Sequence, residues 1–103
     1  MITVSILYPR TQGSRFDMEY YLNKHVPMVK DLLGCELRGF YVDRGLAGAE
    51  PGSTPVYSGM AHLLFDSVEA FQNAFGPHAE RIMGDAPNYT TARPAIQISE
   101  IKL

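Results

Sequence analysis

Hydrophobic and polar residues alternate along the first stretch of the chain. Ile2, Val4, Ile6 and Tyr8 fall on one side and Thr3, Ser5 and Leu7 on the other. This period of two predicts a strand over Ile2–Tyr8, ended by Pro9 and the polar turn from Arg10 to Ser14. The period then changes. Met18, Tyr21, Leu22 and His25 follow the three- and four-residue steps of one helical face, with Asp17 placed to cap the first turn and Phe16 spaced to pack on Tyr21. Pro27 lacks an N–H and biases Val26 away from helical angles, so a kink or break is expected there. A second short helix then runs through Leu33 and stops at Gly34.

Alternation returns over Glu36–Arg44, with Leu37, Gly39 and Tyr41 opposite Arg38, Phe40 and Val42. The loop Gly45–Pro55 is rich in glycine and proline but too short to separate domains. Val56–Phe65 is almost wholly apolar or small, the pattern of a central strand covered on both faces. Asp66 or Ser67 opens the helix SVEAFQNAF, which Gly76-Pro77 interrupts. A further turn, HAERIM, ends at Gly84, and the loop DAPNYT leads to a last strand over Ala95–Leu103. The order is β-α-β-β-α-β, in two halves, residues 1–52 and 53–103. It predicts a ferredoxin-like α+β fold: one domain over residues 1–103, with a four-stranded antiparallel sheet and both helices on one face.

Counting apolar faces adds a partner to this picture. Helices on one side leave the other sheet face bare, yet Ile96 and Ile98 point one way and Ile101 and Leu103 the other. A second copy closing the open face into a dimeric α+β barrel is the expected solution. The composition fits such a domain. At 103 residues the chain should bury about 65% of its unfolded surface. It is 46% hydrophobic and 19% charged, which excludes a disordered or low-complexity chain. The net charge of −2, with no basic cluster, argues against nucleic-acid binding. The N-terminal apolar run is interrupted by Thr3 and Ser5 and has no basic flank. Neither a signal peptide nor a membrane span is expected. One cysteine, Cys35, allows no intrachain disulfide, is expected to pack as a small hydrophobe, and fits a cytosolic setting.

The residues that carry chemistry are few. His25 shares its helical face with Tyr21 and Leu22 and points toward the sheet, beside the opening that Pro27 makes. An imidazole there can exchange protons at cellular pH; its plainer role is to bond a carbonyl freed by Pro27. Tyr8, Tyr20, Tyr21, Tyr41, Tyr57 and Tyr89 can wall a pocket, although rings at such spacing commonly serve the core. Tyr20 lies off the apolar stripe, and Tyr89 sits in a loop able to close over a cavity. His62 faces with Ser58 and Met60, so either the helix-side pocket or the dimer barrel receives it. Arg10, Arg15 and Arg93 lie at strand ends and loops, where they meet an anionic group or only solvent. Metal-ligand spacing is absent, and a site built from His25, His62 and a carboxylate would have to assemble across the fold. There is no phosphate or dinucleotide loop, so a cofactor-independent protein is expected.

Two segments resemble the EthD family: Tyr8-Pro9-Arg10 followed by Phe16-Asp17-x-x-Tyr20-Tyr21-x-x-x-His25-x-Pro27, and the turn Asp85-Ala86-Pro87-Asn88-Tyr89-Thr90. The resemblance implies a homodimeric ferredoxin-like barrel. That family is named for a small protein needed in bacterial ethyl tert-butyl ether degradation beside an oxidative cytochrome system, and related fungal members look like dehydratases of polyketide intermediates. The expected function is binding of a small apolar organic compound in oxidative catabolism or secondary metabolism. Catalysis at His25 would be by proton transfer (dehydration or isomerisation) or cofactor-free oxidoreductase chemistry, with Tyr20, Tyr21, His62 and Tyr89 contacting the ligand. The alternatives are a non-catalytic carrier that protects an intermediate, and a protein whose dimer interface is itself the function.

Overall fold

The computed structural model describes residues 1–103. Four strands, β1 (Ile2–Pro9), β2 (Gly39–Arg44), β3 (Tyr57–Phe65) and β4 (Ala95–Glu100), form one antiparallel sheet in the order β2-β3-β1-β4. The helical segments α1 (Met18–Tyr20), α2 (Val26–Leu33), α3 (Val68–Phe75) and α4 (Ala79–Gly84) lie over one face. This is the ferredoxin-like topology, in which each half of the chain contributes a strand-helix-strand unit. The molecule spans 41 × 33 × 19 Å, so its thin dimension holds only two layers of secondary structure.

Register explains the core. Ile2, Val4, Ile6 and Tyr8 of β1 oppose Phe65, Leu63, Ala61 and Gly59 of β3, and Phe40 and Val42 of β2 continue the same face. Tyr21, Val26, Val29, Leu33 and Ile82 press down on it from the helices, and Phe65 and Ala61 are wholly buried. The helix starts are capped as their sequence requires: the Asp17 carboxylate accepts from the Tyr20 amide at 3.0 Å, and Ser67 Oγ from the Ala70 amide at 3.0 Å. Gly34 ends α2 at φ +63°, a conformation that a side chain would strain.

Pro27 does not break the helix. Residues Tyr21–His25 instead form a π-turn joining α1 to α2, in which the Val26 amide bonds the Tyr21 carbonyl five residues back. Val26 stays helical at φ −59°, ψ −47°. The wide turn ends just before a residue with no N–H to give to Asn23, so no regular hydrogen bond is lost at the proline ring. One extra residue in the turn also rotates the helix that follows. His25 and Val26 are both buried, while Leu22, expected on the apolar face, is 47% exposed.

The opposite sheet face corrects three expectations. β3 is covered on one side only: Ser58, Met60, His62 and Leu64 face away from the helices and stay half-exposed. β4 stops at Glu100, so Ile101 and Leu103 lie beyond the strand, and its outward positions are the polar Gln97 and Ser99. Ile96 and Ile98 do face the helix side, yet no helix covers them, and they remain 47% and 40% exposed. The apolar positions of the bare face are therefore Leu7, Met60 and Leu64, with Tyr41 at its edge. Cys35, expected to pack inward, is exposed in a 3-10 turn over Gly34–Glu36.

Candidate active site

The π-turn presents His25 toward the loop that follows α4. Asp85, at the end of α4, is received there. Its Oδ2 lies 2.8 Å from His25 Nδ1, and its Oδ1 accepts the Tyr20 hydroxyl at 2.8 Å and the Asn88 side-chain amide at 2.9 Å. Three donors thus converge on one carboxylate. The loop carrying it is stitched to the segment before α1. The Asp17 amide donates to the Tyr89 carbonyl at 2.7 Å, Thr90 Oγ1 to the Arg15 carbonyl at 2.8 Å, the Arg15 amide to Thr91 Oγ1 at 2.9 Å, and the Arg15 guanidinium to the Pro87 carbonyl at 2.9 Å. Phe16 and Thr90 form an isolated β-bridge. These bonds hold two segments 72 to 76 residues apart in sequence at a fixed distance, which sets the His25–Asp85 separation.

Aromatic rings pack around the imidazole. Tyr21 stacks on His25 with centroids 5.0 Å apart, and Tyr89 lies 4.7 Å away. Behind them the Tyr8 and Tyr89 hydroxyls bond each other at 2.9 Å. Burial disfavours the charged imidazole more than Asp85 favours it, so His25 titrates below its ordinary value. Burial alone would raise the Asp85 carboxyl, but the hydrogen bonds from Asn88, His25 and Tyr20 outweigh it and hold the group below the usual carboxylate range. At neutral pH the pair is therefore a neutral imidazole donating Nδ1–H to a carboxylate. Nε2, its lone pair unspent, is the ring nitrogen left for other work.

His25 lines a cavity of about 750 Å³ between sheet and helices, within the usual size of small-molecule sites. Its walls are mostly apolar, with Val4, Leu63, Phe71, Phe75 and Ile82 at the interior, and the exposed Met83, Arg93 and Ile96 mark the side open to solvent. Tyr8, Tyr21 and Tyr89 share the lining. The structure thus brings His25, Tyr21 and Tyr89 together. Tyr20 reaches Asp85 rather than the cavity. His62 lies on the opposite sheet face, with Nδ1 2.8 Å from Ser5 Oγ, so a site joining it to His25 cannot form. Of the three arginines, Arg93 lines the cavity, Arg15 braces the loop, and the backbone amide of Arg10 bonds the Val56 carbonyl. Asp85 was not singled out from sequence as a site residue, although it stands in a segment resembling EthD, and Tyr8 was offered only as one of six phenols able to wall a pocket.

The architecture is that of single-sheet α+β proteins with ferredoxin-like topology, and the His–Asp pair marks a site on the helix side of the sheet. Residues 12–93 match the EthD domain model, and the chain belongs to the EthD family. An EthD-like protein from Ralstonia eutropha JMP134 is 42% identical and superposes with a TM-score of 0.94 over 99% of this chain and 92% of its own. A protein of the ethyl tert-butyl ether degradation (EthD) family from Bacillus halodurans C-125 shares 22% identity and a TM-score of 0.69 over 99% of both chains. A candidate monooxygenase from Shewanella loihica PV-4 is similar in fold alone, at 13% identity and TM-score 0.51 over 99% of this chain and 95% of that one. No curated protein matches significantly. No helix is long and apolar enough to cross a membrane.

The pair makes stability depend on pH with a definite sign. His25 titrates below its ordinary 6.5, so under about pH 6.5 the unfolded chain takes up this proton more readily and stability falls. The contribution of Asp85, depressed from 3.8, is present above that value and is lost as pH drops through the lowered one. Urea midpoints should decline as pH falls from 7 to 5 and again below 4, and His25→Gln should flatten the upper decline. A midpoint that rises between pH 7 and pH 5 contradicts the assignment.

Proposed function

We propose that this EthD-family protein binds a small, mostly apolar organic compound in the cavity beside His25, and that Nε2 of His25 moves a proton to or from it. One observation carries the reading. The only hydrogen bond of the imidazole runs from Nδ1 to Asp85, which leaves a neutral base on the wall of an apolar cavity. Asp85 sets the tautomer and stabilises the imidazolium once the proton arrives. Dehydration and isomerisation need no more than such a base. Oxygenation without a cofactor needs a substrate whose carbanion is stabilised, and the likeness to a candidate monooxygenase supports keeping oxidoreductase chemistry in view. Family membership supports a place in the catabolism of an organic compound, as the name of the Bacillus halodurans relative indicates for that protein. A carrier that shelters an intermediate would use the same cavity without turnover.

Native mass spectrometry of the purified protein should reveal a bound organic compound, and its enzymatic precursor or product then serves as the assay. His25→Ala should lower turnover by roughly 10²–10⁴-fold while binding persists. Unchanged turnover removes the catalytic role. Binding with no turnover in the wild type selects the carrier.

We also propose that two copies pair through the bare sheet face, placing Leu7, Met60, Leu64 and Tyr41 in the interface. The two-layer thickness of 19 Å and the half-exposed apolar row support this. Light scattering at micromolar concentration should give twice the chain mass; a stable monomer contradicts the pairing.

A further inference from the structure

The phenols beside His25 hold more protons than they spend. The Tyr8 and Tyr89 hydroxyls are 2.9 Å apart and form one hydrogen bond, in which either can donate. Two hydroxyls bring two protons, so one O–H is left over. The Tyr21 hydroxyl, on the same cavity wall, adds a third O–H, so at least one donor stays unspent however the three pair. No other hydrogen bond of these hydroxyls exists within the protein, whereas the Tyr20 hydroxyl is committed to Asp85. All three phenols line the same cavity as His25, and each is at most 2% exposed.

Buried polar groups ordinarily find partners. Here the unspent O–H and the unspent imidazole lone pair belong to rings packed together on one cavity wall, the Tyr89 ring 4.7 Å and the Tyr21 ring 5.0 Å from His25, centroid to centroid. One group gives a hydrogen bond and the other takes a proton. Burial pushes all three phenols up, so they remain protonated donors at any working pH, while His25, lowered by burial, is neutral at pH 7 and above. The environments therefore separate the roles of acid and base.

We propose that the Tyr8–Tyr89 phenol pair donates a hydrogen bond to a ligand oxygen that becomes negative as His25 withdraws the neighbouring proton, so that the cavity selects enolisable carbonyl compounds and phenols. The proposal rests on the reading of His25 as a base. For a carbonyl ligand, the C–H bond next to the carbonyl breaks, its proton passes to Nε2, and the electron pair moves to the carbonyl oxygen as an enolate. The spare phenol O–H stabilises that oxygen without giving up its proton. Where the ligand is a β,γ-unsaturated carbonyl compound, the imidazolium returns the proton to the γ carbon of the dienolate and moves the double bond into conjugation, completing an isomerisation. Alternatively it protonates a departing β-hydroxyl, which leaves as water with formation of a carbon–carbon double bond. Neither route consumes an oxidant or a reductant. Substrates that offer neither an acidic C–H beside a carbonyl nor a phenol O–H gain nothing from the pair.

Two probes of similar shape test this: 4-nitrophenol, whose ionised form absorbs in the visible, and 4-nitrotoluene, which has no hydroxyl. With Tyr21 beside the pair, changing one or two of the phenols leaves an O–H in place, so the triple variant Tyr8→Phe/Tyr21→Phe/Tyr89→Phe is the one to compare. It should bind 4-nitrophenol at pH 8 about 10-fold or more weakly, as expected for a lost hydrogen bond to a charged oxygen, with 4-nitrotoluene affinity changed by less than about 2-fold. Equal 4-nitrophenol affinity in both proteins overturns the donor role while the cavity reading stands. Failure of the wild type to bind either probe overturns both. Wild-type protein alone gives a second readout, should the triple variant not fold. Its bound 4-nitrophenol should ionise at lower pH than the free probe, and an unchanged or raised titration overturns the proposal.

Discussion

The hydrogen bond between His25 and Asp85 is the constraint on which the rest of the site depends. It joins the two halves of a pseudo-symmetric chain at the point where their helical layers meet. A carboxylate at 2.8 Å from an imidazole is held there by geometry from both sides. On one side the π-turn ahead of Pro27 directs His25 inward. On the other, the loop after α4 is bonded to residues 15–17, so Asp85 has little freedom to retreat. The remaining bonds to Asp85, from Tyr20 and Asn88, keep it ionised in a half-buried place. A carboxylate satisfied in this way can orient the imidazole without taking its proton.

What lies on either side of that bond differs in kind. Toward Asp85 the surroundings are polar and three donors meet one carboxylate. Toward Nε2 they are aromatic and aliphatic, with a mostly apolar cavity whose polar lining residues are the three tyrosines, His25, Thr90, Thr91 and Arg93. Such a boundary concentrates the available chemistry at one ring nitrogen and one hydroxyl chain. In a low-dielectric space, their interactions with a ligand are stronger than the same contacts in water. The sheet beneath contributes position rather than chemistry: β1 carries Tyr8 into the site, and Val4 and Ile6 of β1 and Leu63 of β3 line the cavity beside it.

Local pattern was a good guide wherever the deciding interaction was local. Strand alternation placed Tyr8 and Val4 on one apolar face and grouped His62 with Ser58 and Met60 without deciding which side they took, and short-range capping marked Asp17 and offered Asp66 or Ser67. It was a poor guide where the answer depended on a distant element. No periodicity tells that Asp85 meets His25, because 60 residues separate them and the contact is made by a loop. The EthD-like segments did contain both residues, and their meaning becomes visible only when the two segments are seen to touch. Leu22 was misplaced because a π-turn shifts the helical phase, and proline reads as a break unless that alternative is considered. Ile101 and Leu103 continue the apolar pattern of β4, but alternation cannot show where hydrogen bonding to β1 ends.

The central claim is a protonation state, so it can be observed directly. Long-range ¹H–¹⁵N correlation spectra of the uniformly labelled protein at pH 7 report which ring nitrogen of His25 bears the proton. The structure predicts a neutral ring with the proton on Nδ1, and a shift typical of an unprotonated nitrogen at Nε2. In Asp85→Asn the loss of a bond and a charge that both favour the imidazolium should move the His25 titration to still lower pH. A proton on Nε2, or an imidazolium at pH 7, would contradict the account.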